Sequence, residues 1–198
     1  MFDLLIATNN DHKIHEYEEM LSVYGIKVHS PKEFGINDNP IEDRKTFKEN
    51  SLIKAKSLQR FSKMPLIADD SGLCVTALDN FPGIYSARFA KECGGNINAN
   101  LEIIKRLKDK KDKSAHFSCV ITLLNVEETP VVLEGICEGS ILDKPDGIGG
   151  FGYDPIFYSN EAKMSFGSAP EEIKNKYSHR SKAVKLLITY LKKKKLID

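Results

Sequence analysis

The amino-terminal segment constrains the fold most. Phe2 to Ala7 is a short apolar run, Thr8-Asn9-Asn10-Asp11 is turn and helix-capping chemistry, and Ile14, Tyr17, Leu21 and Tyr24 then recur at helical spacing. Strand, loop and helix in that order begin a crossover, so the chain must build a sheet with a helix laid on it. Later segments extend the pattern. Residues 44–62 read as a second helix, Pro65-Leu66-Ile67-Ala68 as a short buried strand running into Asp69-Asp70-Ser71-Gly72, 97–108 as a third helix, and Ser181 to Lys195 as the last. His116–Leu124 and Val131–Glu138 are β-rich runs joined by a turn containing Pro130, which predicts an antiparallel hairpin. Crossover and hairpin together predict an α/β fold on a mixed sheet. No internal period or linker divides the 198 residues, so 1–198 is expected to be one continuous domain with room for two lobes.

Composition removes several classes of function. Twenty-nine Lys and Arg against 28 Asp and Glu leave a net charge of +1, so no global field draws in nucleic acid or an anionic membrane. The first apolar run stops at Ala7 and has no basic residues before it, too short for a signal peptide or a membrane span. Cys74, Cys93, Cys119 and Cys137 form no C-x-x-C pair and lie mostly in apolar stretches, which predicts reduced thiols and a cytoplasmic protein. With no His partner at ligand spacing, they make no zinc site.

Local anion chemistry has several candidates. Thr8 to Lys13 lies where a strand gives way to a helix, so its free N–H groups and Lys13 could hold phosphate; equally, Asn10 or Asp11 could simply cap the helix. Asp69-Asp70-Ser71-Gly72 follows an apolar strand, where open α/β sheets build their ligand crevice. A carboxylate there can hold Mg²⁺ or orient a water, or the segment is an acidic turn ending the strand. Strand alternation lets only one of the two acids face a given ligand. Glu42 and Asp43 could add an oxygen ligand or be surface charge.

In the second helix, Lys54 interrupts the stripe of Phe47, Leu58 and Phe61, with Asn50 beside it. Its ammonium either reaches an anionic site or snorkels out of the core, and the uneven apolar face favours snorkelling. Gly147-Ile148-Gly149-Gly150-Phe151-Gly152 matches G-x-G-x-x-G, but Pro155 bars the helix a dinucleotide fold requires. The segment reads as a tight loop presenting Phe151 and Tyr153, as a stacking platform or as core aromatics. Ser178-His179-Arg180, with Lys174 before it, places cations at the start of the last helix, where they oppose its dipole; a bound anion or carbonyl acceptor would compensate, or the segment is an exposed basic turn. The tail Lys192 to Lys195 reads as a solvated helix end.

Together these segments closely resemble the inosine triphosphate pyrophosphatase family. The match is carried by Ala7-Thr8-Asn9-Asn10 with Lys13 and Glu16, Thr46-Phe47-Lys48-Glu49-Asn50 with Lys54-Ala55, and Ala68-Asp69-Asp70-Ser71-Gly72-Leu73. Pro82-Gly83-Ile84-Tyr85-Ser86-Ala87-Arg88, Gly149 to Phe157, and Ser178-His179-Arg180 complete it. The resemblance implies a long mixed sheet flanked by helices, two lobes with a central active-site cleft, and a homodimer. It implies cleavage of dITP, ITP and XTP to the monophosphate and pyrophosphate. It assigns the triphosphate to Thr8, Asn9, Asn10, Asp11, His12, Lys13 and Lys54, Mg²⁺ to Glu42 and Asp70, and water activation to Asp70. Ser71, Phe151, Gly152, Tyr153, Asp154, Lys174, His179 and Arg180 would contact the nucleotide, with an aromatic against the base and the His-Arg pair near its 6-keto oxygen.

This chain departs from the family pattern at two places. Gly167-Ser168-Ala169 stands where an acidic stretch is usual, and Asn9-Asn10 replaces the commoner Gly-Asn. Two other functions compete with this one. A pyrophosphatase for modified pyrimidine or general nucleoside triphosphates would share the metal chemistry but not the base pocket, and a silent nucleotide- or RNA-binding module would make the carboxylates dispensable.

Overall fold

The computed structural model describes residues 2–38 and 40–198. The strands are β1 (Phe2–Ile6), β2 (Ile26–His29), β3 (Leu66–Val75), β4 (Phe81–Pro82), β5 (Ser114–Leu124), β6 (Val131–Ile141), β7 (Phe157–Ser159) and β8 (Met164–Ser165). They form one sheet of order β2-β1-β3-β5-β6-β7-β8, with β4 paired to β3. β1 is parallel to β2 and β3, whereas β3–β4, β6–β7 and β7–β8 are antiparallel, so the sheet is mixed as expected. The helices are α1 (Asp11–Ser22), α2 (Phe47–Gln59), α3 (Ser86–Glu92), α4 (Asn96–Arg106), α5 (Glu171–Tyr177) and α6 (His179–Lys193). By internal contacts the chain divides into two units. The first holds the residues up to Asp70, Cys119–Gly135 and Ala183–Asp198; the second holds Ser71–Ser118 and Ile136–Lys182.

In the first unit, strand alternation sorts the core into two layers. Leu4, Ile6 and Ile67 pack with Tyr17 and Leu21 of α1 and with Ala183, Val184, Leu187, Ile188 and Leu191, the apolar stripe of α6. The intervening Leu5, Leu66 and Ala68 pack with Ala55 and Leu58 of α2. The two helices following β1 and preceding β3 therefore serve opposite faces of the same strands. In the second unit, Leu73 and Val75 of β3 pack with Phe89 of α3, Ala99 and Ile103 of α4, and Phe117, Phe157 and Phe166.

Several boundaries differ from the sequence expectation. β3 does not end at the acidic pair but runs through Asp69, Asp70, Ser71 and Gly72 to Val75, so those residues are strand and not turn. α2 starts at Phe47 because Thr46 caps it, its Oγ accepting from Glu49 N at 3.1 Å. It ends at Gln59, leaving Phe61 outside the helix and exposed. β5 and β6 are sheet neighbours, and β2, β4, β7, β8, α3 and α5 are short elements that periodicity did not reveal.

β3 continues past its acids because Gly72 lets another segment close on it. A Cβ built there would overlap the Gly83 carbonyl oxygen and sit 2.6 Å from Ser86 Oγ. Ser86 Oγ uses that space to accept from Leu73 N at 3.0 Å and donate to Gly83 O at 2.7 Å. The Pro82–Arg88 motif is thus a clasp on β3. Gly72→Ala is expected to lower unfolding stability by about 1–3 kcal/mol through overpacking, read as a lower denaturant midpoint with unchanged slope; an unchanged midpoint would show that the clasp yields freely.

Candidate active site

Alternation along β3 sends Asp69 and Asp70 to opposite faces, and each meets a lysine from a different helix. Asp69 shares its face with Ile67, the α1 layer, and Lys13 in the first turn of α1 bonds it with Nζ 3.0 Å from Oδ1. Cys119 Sγ lies 3.8 Å from the other oxygen, Oδ2, and Asp69 is only 1% exposed. Asp70 shares its face with Leu66 and Ala68, the α2 layer, and Lys54 of α2 bonds it with Nζ 3.0 Å from Oδ1. The same ammonium reaches Glu42 Oε2 at 3.1 Å. Lys54 does not snorkel: its partners come from segments outside the helix, and they decide its orientation.

Charge in this cluster is finely opposed. Burial pushes the Asp70 carboxyl up to about 6, working against Lys54 and, more weakly, Lys13, while Glu42 adds to the rise. Burial also disfavours the Lys54 ammonium, but Asp70, Asp69 and Glu42 outweigh it and hold Lys54 above the ordinary lysine range. Asp70 Oδ2 is buried with no hydrogen-bond partner among the described residues. A buried, half-satisfied carboxylate is the kind of group that a cation or a polarised water completes.

The Thr8–Lys13 loop is first of all a helix cap. Asn10 Oδ1 accepts from His12 N at 3.0 Å and Lys13 N at 3.3 Å, and Thr8 Oγ accepts from Asn10 N at 3.2 Å. Asn9, Asn10, Asp11 and His12 are exposed, with Asp11 accepting from Lys32 Nζ at 3.1 Å. Lys13 is therefore placed on Asp69, whereas Lys54, Glu42 and Asp70 form one cluster.

In the second unit, Phe151 is ringed by cations. Lys174 Nζ lies 4.5 Å from its ring centre and the Arg180 guanidinium carbon 5.8 Å. Asp154 Oδ2 accepts from both Phe151 N and Lys174 Nζ at 2.7 Å, so one carboxylate orders the loop and neutralises the lysine. Gly150, at φ +68°, leaves room for that carboxylate, which a Cβ would overlap. Arg180, only 1% exposed, donates from Nη2 to Ser71 Oγ at 3.1 Å. His179 is buried and stacked on Phe117 at 4.7 Å. Phe151, Asp154, Lys174, Arg180 and Ser71 are thus brought together, with Gly152 following Phe151 in the loop.

Tyr153 takes the core-aromatic alternative rather than the platform. Its ring is buried in the core and its hydroxyl donates to Ser86 O at 2.8 Å, so it offers no platform, and burial raises its phenol further. Gly167 O accepts from Gly149 N at 2.8 Å, so the segment that lacks the usual acid braces the glycine loop.

Two buried asparagines have roles that sequence reasoning did not assign. Asn50 Oδ1 accepts from Arg44 N at 3.1 Å, pinning the segment that carries Glu42. Asn100 of α4 donates to Gly152 O at 3.1 Å. The signal for the second was legible: Asn100 sits in an apolar stripe with Ile103 and Leu107, where a polar amide has no packing purpose.

Comparison with known proteins sets this geometry among relatives. The model of the Ham1 family matches residues 4–190. A dITP/XTP pyrophosphatase of Leptospira interrogans is 43% identical over 193 residues, covering 96% of this chain and 98% of the relative. One of Treponema denticola is 39% identical over 192 residues, covering 96% and 98%. Among solved structures, a HAM1 protein from Coxiella burnetii superposes with a TM-score of 0.87 at 35% identity, covering 98% of this chain and all of that one. A nucleoside-triphosphatase / dITP/XTP pyrophosphatase from Mycobacterium abscessus does so with a TM-score of 0.74 at 32% identity, covering 94% and 98%. A family match across nearly the whole length, joined to relatives similar end to end in sequence and in fold, establishes that this chain belongs to the Ham1 family.

Proposed function

We propose that the protein hydrolyses dITP, ITP and XTP to the nucleoside monophosphate and pyrophosphate, clearing deaminated purines from the nucleotide pool. The observation that carries this reading is Asp70, a buried carboxylate held by Lys54 and left with one unpartnered oxygen. The relatives' activity on dITP and XTP supports the substrate class. Residence in the cytoplasm, with four free cysteines, and assembly as a homodimer belong to the same proposal. No helix among the described residues is long and apolar enough to cross a membrane.

The donor set fits Mg²⁺. Asp70 Oδ2 lacks a partner, Glu42 lies on the same ammonium as Asp70, and hard carboxylate oxygens suit a hard divalent cation. When bound, Mg²⁺ would neutralise the polyphosphate. Asp70, ionised above about pH 6, orients a water toward the α-phosphorus and takes its proton; the bond from that phosphorus to the bridging oxygen breaks and pyrophosphate departs. Lys54 supplies fixed positive charge for the departing group. Lys13 holds the polyphosphate at the start of α1, which requires Lys13 to exchange Asp69 for phosphate; the N–H groups of Asn10, His12 and Lys13 join it only by leaving the Thr8 and Asn10 side chains.

Base choice follows from donors. Phe151 offers a ring face, and His179 and Arg180 are donors suited to a 6-keto oxygen. A 6-amino group would leave such donors facing another donor, at about 1–3 kcal/mol for each buried group. Asp154 and Lys174 keep the platform in place, and Ser71 and Gly152 border it.

Two measurements test this reading. Asp70→Asn, nearly isosteric, should reduce kcat for dITP at least about 100-fold while remaining folded. Because burial raises the folded carboxyl above its ordinary 3.8, protonation favours the folded state, and that contribution is lost as pH rises through about 6. In chelator, Asp70→Asn should therefore melt no lower than wild type at pH 8, the wild type losing relative stability between pH 4 and 7. Near-normal turnover would remove Asp70 from the mechanism. Arg180→Gln should lower kcat/KM for dITP about 10- to 100-fold and that for dATP less than threefold, narrowing discrimination; an equal loss for both would show that Arg180 does not read the base.

A further inference from the structure

We infer that Asn100 is the positioning residue for Phe151, fixing the ring against which the base binds; this rests on the base-binding role given to Phe151 above. Asn100 is 4% exposed within the second unit, beside Ala99 and on the stripe of α4 that carries Ile103 and leads to Leu107 just past the helix. A leucine would fill such a position without penalty and would favour the helix. The amide instead leaves Oδ1 buried with no partner among the described residues and obtains one hydrogen bond, from Nδ2 to Gly152 O at 3.1 Å. A buried polar group kept for a single loop contact points to a role in that loop.

The loop needs such a tie. Phe151 is flanked by Gly150 and Gly152, both at positive φ, so its own neighbours impose little restraint on the ring. Besides the Asp154 N–Phe151 O bond and the Lys174 and Arg180 contacts on the ring, three hydrogen bonds restrain the loop: Asp154 Oδ2 accepts from Phe151 N, Tyr153 OH donates to Ser86 O, and Asn100 Nδ2 holds Gly152 O. The first is internal to the loop and the second acts two residues further on. Asn100 joins the residue next to Phe151 to α4, a helix packed in the core, whereas Asp154 is tied to α5 through Lys174. A platform ordered before binding spares the nucleotide the loss of loop freedom, so this bond acts on base affinity and not on the phosphate chemistry.

The test is calorimetric binding of inosine monophosphate and, separately, of pyrophosphate to the full-length protein. Asn100→Leu, which keeps the branched outline of the side chain and removes the donor, should weaken inosine monophosphate about tenfold and leave pyrophosphate unchanged. Asn100→Ala, which removes the donor without adding bulk, gives the same result by a second route if the leucine variant folds poorly. In a Phe151→Ala background the loss from Asn100→Leu should vanish, because the residue acts through the ring. The inference is overturned if inosine monophosphate binds the variants within twofold of wild type. It is equally overturned if both ligands weaken together, or if the loss persists without Phe151. If Phe151→Ala itself leaves binding unchanged, the base-binding role of that ring fails, and the inference with it.

Discussion

Everything in the first unit turns on two consecutive carboxylates held inside a strand. A strand must point them to opposite faces, so neither can relieve the other's burial, and each needs its own cation. Lys13 comes from the first turn of α1, which packs on the face of Leu4, Ile6 and Ile67; Lys54 comes from α2, which packs on the face of Leu5, Leu66 and Ala68. The apolar layers and the ion pairs follow from one alternation. Asp69 finds its lysine and Cys119, whereas Asp70 shares its lysine with Glu42 and retains an oxygen without a partner. The neighbours differ in partners: Asp70 Oδ2 is buried without a hydrogen bond among the described residues, and neither oxygen of Asp69 is.

The second unit solves a different problem, burying Lys174, His179 and Arg180 near an aromatic ring. Asp154 neutralises Lys174 and orders Phe151 with the same oxygen, and Ser71 accepts from Arg180. Arg180 and Ser71 belong to this unit, yet Ser71 directly follows Asp70 in β3.

Much of this was legible in the sequence because it was local. The β1–α1 junction with its cap, the mixed sheet and the long apolar strands follow from spacing and turn chemistry, and the resemblance carried by six ordered motifs picked out Asp70 over Asp69. What escaped depends on distant partners. Lys54 looked like a snorkelling side chain because the helix alone gives no sign of Asp70 and Glu42. Gly72 looked like the end of a strand because its neighbour, the Gly83–Ser86 clasp, lies further along the chain. Tyr153 resembled a platform until Ser86 O claimed its hydroxyl. The short strands β4, β7 and β8 have two or three residues each, too few for any period to register.

The central proposal is that Asp70 activates the water that cleaves a purine nucleoside triphosphate whose base bears a 6-keto oxygen. Its most direct test is release of pyrophosphate and orthophosphate from dITP, XTP, dGTP and dATP, each with Mg²⁺ and with a chelator, at alkaline pH where Asp70 is ionised. The account predicts pyrophosphate from the 6-keto nucleotides dITP and XTP and not from dATP, and only with the metal. Orthophosphate as the product, or equal turnover of all four nucleotides, would contradict it.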